Sequence, residues 1–162
     1  MFTDRHSIAV MTRASIDFPS RIGVWWAGDT WAMPDAQQVA RDIEGLGFGS
    51  LFIPEVVGKE CLTQSAAFLA ATERLVVGTG IANIHVRVPS AAESGARTLT
   101  ALHPGRFVLG LGVSHGPLVE HGLGGVYQKP CVLIWSGWRP CRRRSNRGWA
   151  DRPGCLRRWG PR

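Results

Sequence analysis

From Leu75 to Val113 two apolar runs flank a stretch of helical pattern: LVVGTGIAN, then IHVRVPSAAESGARTLTALHPG, then RFVLGLGV. Strand, helix and strand in that order form the minimal parallel β-α-β unit, because parallel neighbours need a crossover of a dozen or more residues. Leu75, Val76, Val77 and Ile81 in the first run, and Phe107, Val108, Leu109 and Leu111 in the second, leave few polar positions. That is the pattern of strands covered on both faces. Each run ends in small residues, Gly78, Gly80 and Ala82 in one and Gly110 and Gly112 in the other. Bare backbone at the carboxyl edge of a parallel sheet lets a ligand approach closely.

The same unit recurs upstream. RIGVWWAG, beginning at Arg21, reads as a short strand, and a helix follows in which Pro34 suits the first turn. Ala36, Val39, Ala40 and Ile43 give that helix one apolar face, and Gly47 caps its end. Leu51 to Val56 is a second strand, stopped near Pro54. Thr63 is the expected N-cap of a helix whose inner face carries Ala66, Leu69 and Ala70. Ser90 and Glu93 form a capping box ahead of the helix that stops at His103-Pro104-Gly105. Strand starts therefore fall near 21, 51, 75 and 106, a β-α repeat. Such units either wind one way toward a closed barrel or reverse once into an open doubly wound sheet, and spacing alone leaves both open.

With 162 residues the chain is long enough for one domain with a core, yet its totals mislead. Residues 1 to 130 carry ten Lys and Arg against eleven Asp and Glu, a formal charge of −1; residues 131 to 162 carry nine Arg against Asp151, a charge of +8. The pI of about 10.2 thus belongs to the tail. Cys131, Cys141 and Cys155 lie there too, leaving Cys61 alone in the body, so a reducing, cytoplasmic setting is expected. Met1 to Ser20 has no continuous apolar core and reads as a loose leader, and no run reaches the roughly 20 apolar residues that cross a bilayer.

The tail has no helical or alternating period, and a change of reading frame close to Pro130 is the expectation for it. Its cysteines lack zinc spacing, and His115 and His121 have no matching carboxylate or cysteine, so no metal site is expected. Arg142, Arg143 and Arg144 beside Trp138 and Trp149 offer phosphate attraction and stacking. Without a fold to present them, nonspecific adhesion is the expectation rather than nucleic-acid recognition.

The ordered run GTGIAN, then P-x-A, then L-x-x-L-x-P-G-R-F-x-L-G-L-G, together with GFGSLFIPEV, resembles the N-terminal half of the luciferase-like monooxygenase family. The resemblance is closest to its branch using the deazaflavin coenzyme F-420, and it covers about residues 20 to 130. It implies an α/β fold, a partial (β/α)8 TIM barrel with strands one to four and their helices over residues 20–130; the loose leader (1–19) and the irregular tail (131–162) lie outside it. It implies an oxidoreductase in which coenzyme F-420 or FMN lies across the carboxyl ends of the strands and exchanges a hydride with a small-molecule substrate.

By the same resemblance, Gly80 and Ile81 sit where relatives have a non-prolyl cis peptide against the ring, and the Asn83 amide faces a ring carbonyl. Gly112, Val113 and Ser114 offer N–H groups and a hydroxyl to the cofactor. Glu55 is the candidate catalytic carboxylate, and Trp25 and Trp26 the candidate pocket walls, one facing inward and the other a helix by strand alternation. The family's phosphate-binding loops follow later strands. Two other expectations stand beside the enzyme: an inactive fragment, self-associating through exposed barrel edges, or a nucleic-acid binder acting through its basic tail.

Overall fold

The computed structural model describes Ala9–Val10 and residues 16–127; the Arg- and Trp-rich tail, with its cysteines, lies outside the described residues. Seven strands and three helices follow in the order β1 (Ala9–Val10), β2 (Gly23–Trp25), α1 (Met33–Gly45), β3 (Ser50–Ile53), α2 (Cys61–Ala71), β4 (Val76–Thr79), β5 (Ala82–Asn83), α3 (Pro89–Leu102), β6 (Phe107–Val108) and β7 (Gly110–Gly112). A π-helical turn, Leu118–Gly122, comes last. No helix among the described residues is long and apolar enough to cross a membrane.

Four strands, β2-β3-β4-β6, form one all-parallel sheet in chain order. An open doubly wound sheet reverses direction once, and this order does not, so the arrangement is that of the first units of a (β/α) barrel. The second sheet is small: β5 runs parallel to β7, and β1 pairs antiparallel with the other edge of β7.

Register assigns the two faces. Val24, Leu51, Val77 and Phe107 lie opposite one another across the four strands, as do Trp25, Phe52, Gly78 and Val108 one residue on. The first row belongs to the main core with Ala36, Ala40 and Ile43 of α1, Phe68 and Leu69 of α2 and Leu99 of α3. The second row faces away from the helices, toward the barrel interior. Trp26 returns to the helix side, stacking on Phe68 with ring centroids 6.3 Å apart.

Helix ends account for several boundaries. Pro34 stands in the first turn of α1, where its missing N–H costs nothing. At the other end Gly47 takes a φ of +85°. Its N–H donates to Glu44 O and that of Phe48 to Ile43 O, the paired bonds of a Schellman cap. Two expected starts are corrected. The N-cap of α2 is Glu60, whose carboxylate accepts from the N–H groups of Leu62 and Thr63, so Thr63 lies inside the first turn. That shift turns Cys61, Gln64, Ser65, Phe68 and Leu69 inward and leaves Ala70 exposed. α3 begins at Pro89 after Val88 with no side-chain cap; the proline's fixed φ starts the helix, and Glu93 pairs instead with Arg97.

The end of the sheet away from the strand tips is tied by two side chains. Arg106 donates to Leu75 O at 3.1 Å, Leu69 O at 3.3 Å and Thr72 Oγ1 at 2.7 Å. Glu44, in the last turn of α1, accepts the N–H groups of Glu73, Arg74 and Leu75 at 2.6 to 3.2 Å. Burial pushes the Glu44 carboxyl up, but those three N–H groups and the Arg74 charge outweigh it and hold its pKa below the ordinary glutamate value. Its contribution is therefore present at neutral pH, above the unfolded-state pKa, and is lost as the pH falls through the lower folded-state value. Glu44→Gln is expected to cost about 1 kcal/mol in urea unfolding at pH 7. The difference from the parent should shrink as the pH is lowered through the acid range.

Candidate functional site

Beyond Val77 and Gly78, which pair with Phe107 and Val108, the ladder between the third and fourth strands resumes with Ala82 opposite Leu111 and Asn83 opposite Gly112. Four residues on one strand thus span three on its neighbour, so the extra residue forms a bulge. Thr79 bridges the gap: its Oγ1 donates to Gly110 O at 2.8 Å and accepts from Gly110 N at 2.9 Å. Within the bulge the Gly80–Ile81 peptide is cis. The β3 strand grips it from the other side, since Gly80 N donates to Ile53 O at 2.7 Å and Glu55 N to Ile81 O at 3.1 Å.

Trp25 reaches the same place from β2. Its indole Nε1–H donates to Gly80 O, the carbonyl of the cis peptide, at 2.8 Å, while the residue as a whole stays 62% exposed. Ile81 is half-buried on the bulge and Phe52 half-buried beside it. Two glycines are required by close approach: a Cβ on Gly110 would lie 2.2 Å from Thr79 O, and one on Gly112 would lie 2.5 Å from Ile81 Cγ1.

Behind the bulge is a buried ion pair. Glu55, which follows β3, and Arg87, which precedes α3, have side chains 6% and 8% exposed. Arg87 Nη1 donates to Glu55 Oε2 at 2.6 Å, and Nη2 donates to Glu55 Oε1 and, at 3.0 Å, to Glu60 Oε1. Asn83 lies between them: its N–H donates to Glu55 Oε2 at 2.7 Å and its C=O accepts from Arg87 Nη1 at 3.2 Å. Burial opposes the Arg87 charge, but the Glu55 hydrogen bonds and the neighbouring acidic groups outweigh it and raise its pKa above the ordinary arginine value. Glu55, Glu60 and Cys61 bring two carboxylates and a thiol within 4.8 Å of one another. Arg87 already binds both carboxylates, and burial pushes the Cys61 thiol up, so the cluster is organised for ion pairing.

The residues singled out in the sequence thus fall at one edge but not in one manner. Gly80, Ile81 and Trp25 meet at the bulge, and Gly112 pairs beside it, followed by Val113 and by Ser114, whose φ is +55°. Glu55 lies one layer back, tied to Arg87. The Asn83 side chain is fully buried: Oδ1 accepts from His85 N at 2.9 Å, and Nδ2 has no partner among the described residues. Trp26 packs on α2, with Trp31 edge-on at 5.6 Å. His115 and His121 are exposed.

Arg87 and Lys59 escaped notice in the sequence. Lys59 Nζ donates to Gly28 O at 3.1 Å, Trp31 O at 2.8 Å and also Asp29 O, binding the loop after β2 to the loop after β3. The available signal was a single Lys or Arg in each of two short loops, VVGKE and IHVRV.

The model of the family described as "Luciferase-like monooxygenase" matches residues 13–132. A Mycobacterium tuberculosis (strain ATCC 25618 / H37Rv) protein named "Putative coenzyme F420-dependent oxidoreductase" is 33% identical over 110 residues. The aligned part is 68% of this chain and 31% of that relative, so the chain spans about a third of the relative's length.

Gly110→Ala tests the bulge geometry directly. The added methyl meets backbone rather than a flexible side chain, so the variant is expected to lose about 3 kcal/mol in urea unfolding. A loss under about 0.5 kcal/mol would mean that Gly110 and Thr79 do not approach as described.

Proposed function

The chain belongs to the luciferase-like monooxygenase family, and from that premise we propose that the carboxyl edge of its sheet holds the ring of a deazaflavin or flavin as part of an oxidoreductase. The observation that carries this reading is the bulge at Gly80–Ile81, set beside the exposed indole of Trp25 at the strand tips. A planar, largely apolar ring needs a flat apolar wall with a few polar groups along one edge. Ile81, Phe52 and Trp25 fit the wall, and the backbone of Gly112 and Val113 with the Ser114 hydroxyl fits the edge. When bound, the cofactor supplies hydride exchange; the relative's name favours coenzyme F-420, with FMN as the alternative.

The chain's own residues bind and orient. Trp25 is assigned to the wall between ring and small-molecule substrate, whereas Trp26, packed on α2, is assigned to the core. Glu55 is assigned to holding the bulge rather than to proton transfer, because a buried carboxylate already joined to a guanidinium and a backbone N–H is a poor proton carrier. Asn83 is assigned to the turn that carries the bulge, since its amide is enclosed.

The same residues do not fit a phosphate anchor. At this edge Lys59 is held by three carbonyls and Arg87 by two carboxylates, so among the described residues neither loop cation is free to meet a phosphate. Ring recognition is thus the part of cofactor binding assigned to residues 20–127. Titration of the full chain with coenzyme F-420 and with FMN, followed by cofactor fluorescence, is expected to show saturable binding in the micromolar range to at least one of them. Trp25→Ala should weaken it about tenfold, through loss of the aromatic contact with the ring and of the Gly80 hydrogen bond. Absence of saturation for both cofactors would contradict the proposal.

A further inference from the structure

Arg87 touches none of the residues assigned above to the ring's wall or edge, yet its guanidinium contacts three separate elements behind them. It donates to Glu55 at the end of β3, to the carbonyl of Asn83 in β5 and to Glu60, the N-cap of α2. Glu55 in turn accepts the Asn83 N–H. One ion pair therefore holds both backbone polar groups of Asn83, two residues beyond the cis peptide, and the backbone N–H of Glu55 holds Ile81 O. The far side of the bulge is fixed by Trp25 on Gly80 O. Between these two anchors the bulge has no freedom to slide along β7.

We propose that Arg87 is a positioning residue, and that the Glu55–Arg87 pair acts as a clamp on Asn83 that sets the shape of the Gly80–Ile81 bulge against the cofactor ring. This rests on the ring-binding reading above. An ordinary structural salt bridge would join two side chains; this one encloses a backbone segment on the path between them, and it does so with the planar fork that only arginine presents. Lysine at the same position keeps the charge but cannot bind Glu55 through two nitrogens while also reaching Asn83 O and Glu60.

Stability and positioning are separated by a neutral pair. Removing one partner of a buried ion pair strands the other charge, whereas replacing both with uncharged groups of similar size is often tolerated. The double variant Glu55→Gln/Arg87→Met is therefore expected to unfold near the parent midpoint. Its bulge should nonetheless relax, read as a shifted indole Nε1–H resonance of Trp25, assigned by comparison with Trp25→Phe, and as faster amide exchange at Asn83. Amides of Leu51 and Val77 should keep their exchange rates. Affinity for coenzyme F-420 or FMN should fall about tenfold or more.

Arg87→Lys serves as the second variant should the double one fail to fold, and it is expected to show the same indole and exchange changes. A folded variant of either kind with an unshifted Trp25 resonance and parental exchange at Asn83 overturns the clamp. Failure of the parent chain to bind either ring overturns the ring-binding reading instead. The resonance and exchange measurements need no cofactor, so they decide the clamp in either case.

Discussion

Thr79 and Gly110 meet where the parallel ladder goes out of step, and the carboxyl edge depends on that meeting. A parallel pair in constant register would continue past Gly78 and Val108 as a plain strand pair. Here one strand carries an extra residue, and the Thr79 hydroxyl takes the place of the missing ladder bonds by donating to and accepting from the same glycine. The geometry excludes any side chain at residue 110. Once the hydroxyl fills the gap, the next two residues stay bonded to the β3 side but fall out of register with the fourth strand, and Ala82 and Asn83 re-enter pairing one residue later. The site is a consequence of that mismatch.

What surrounds the mismatch resists its collapse. Each flanking strand contributes a group that binds the displaced backbone: Trp25 from β2, the Ile53 carbonyl and Glu55 N–H after β3, and Gly112 from β7, whose carbonyl accepts from Ile84 N at 3.0 Å. The buried Glu55–Arg87 pair adds a charged tie behind it. A buried ion pair is weak evidence for stability, because desolvation consumes most of its Coulombic gain. Its placement around Asn83 is better explained by the specific shape it enforces. Lys59 performs a similar task one loop away, joining the β2 and β3 loops through three backbone carbonyls.

Much of the framework was legible in the sequence because burial on both faces writes itself as uninterrupted apolar runs. Strands expected to start near 21, 51, 75 and 106 begin at Gly23, Ser50, Val76 and Phe107. Alternation correctly divided Trp25 from Trp26. Helix starts were less legible, since Ser90 and Thr63 satisfy the capping pattern but Pro89 and Glu60 lie one and three residues earlier and act first. Spacing left barrel and doubly wound sheet equally open, and the family resemblance, not periodicity, favoured the barrel. Periodicity alone hid the break within LVVGTGIAN, because a bulge depends on the register of a strand about thirty residues away; the family resemblance is what pointed to Gly80 and Ile81. Partners such as Arg87 for Glu55 were hidden for the same reason: their contact is made only when three loops converge.

The central claim is that the bulged tips of four parallel strands, and not another surface, face the cofactor. Backbone amide shifts recorded on adding coenzyme F-420 or FMN to the full chain test it most directly. The account expects the changes to concentrate at Gly80 to Ile84 and Gly112 to Ser114, with the Trp25 indole among them. Changes centred instead on Glu73 to Leu75 and Arg106, at the opposite end of the same strands, would contradict it.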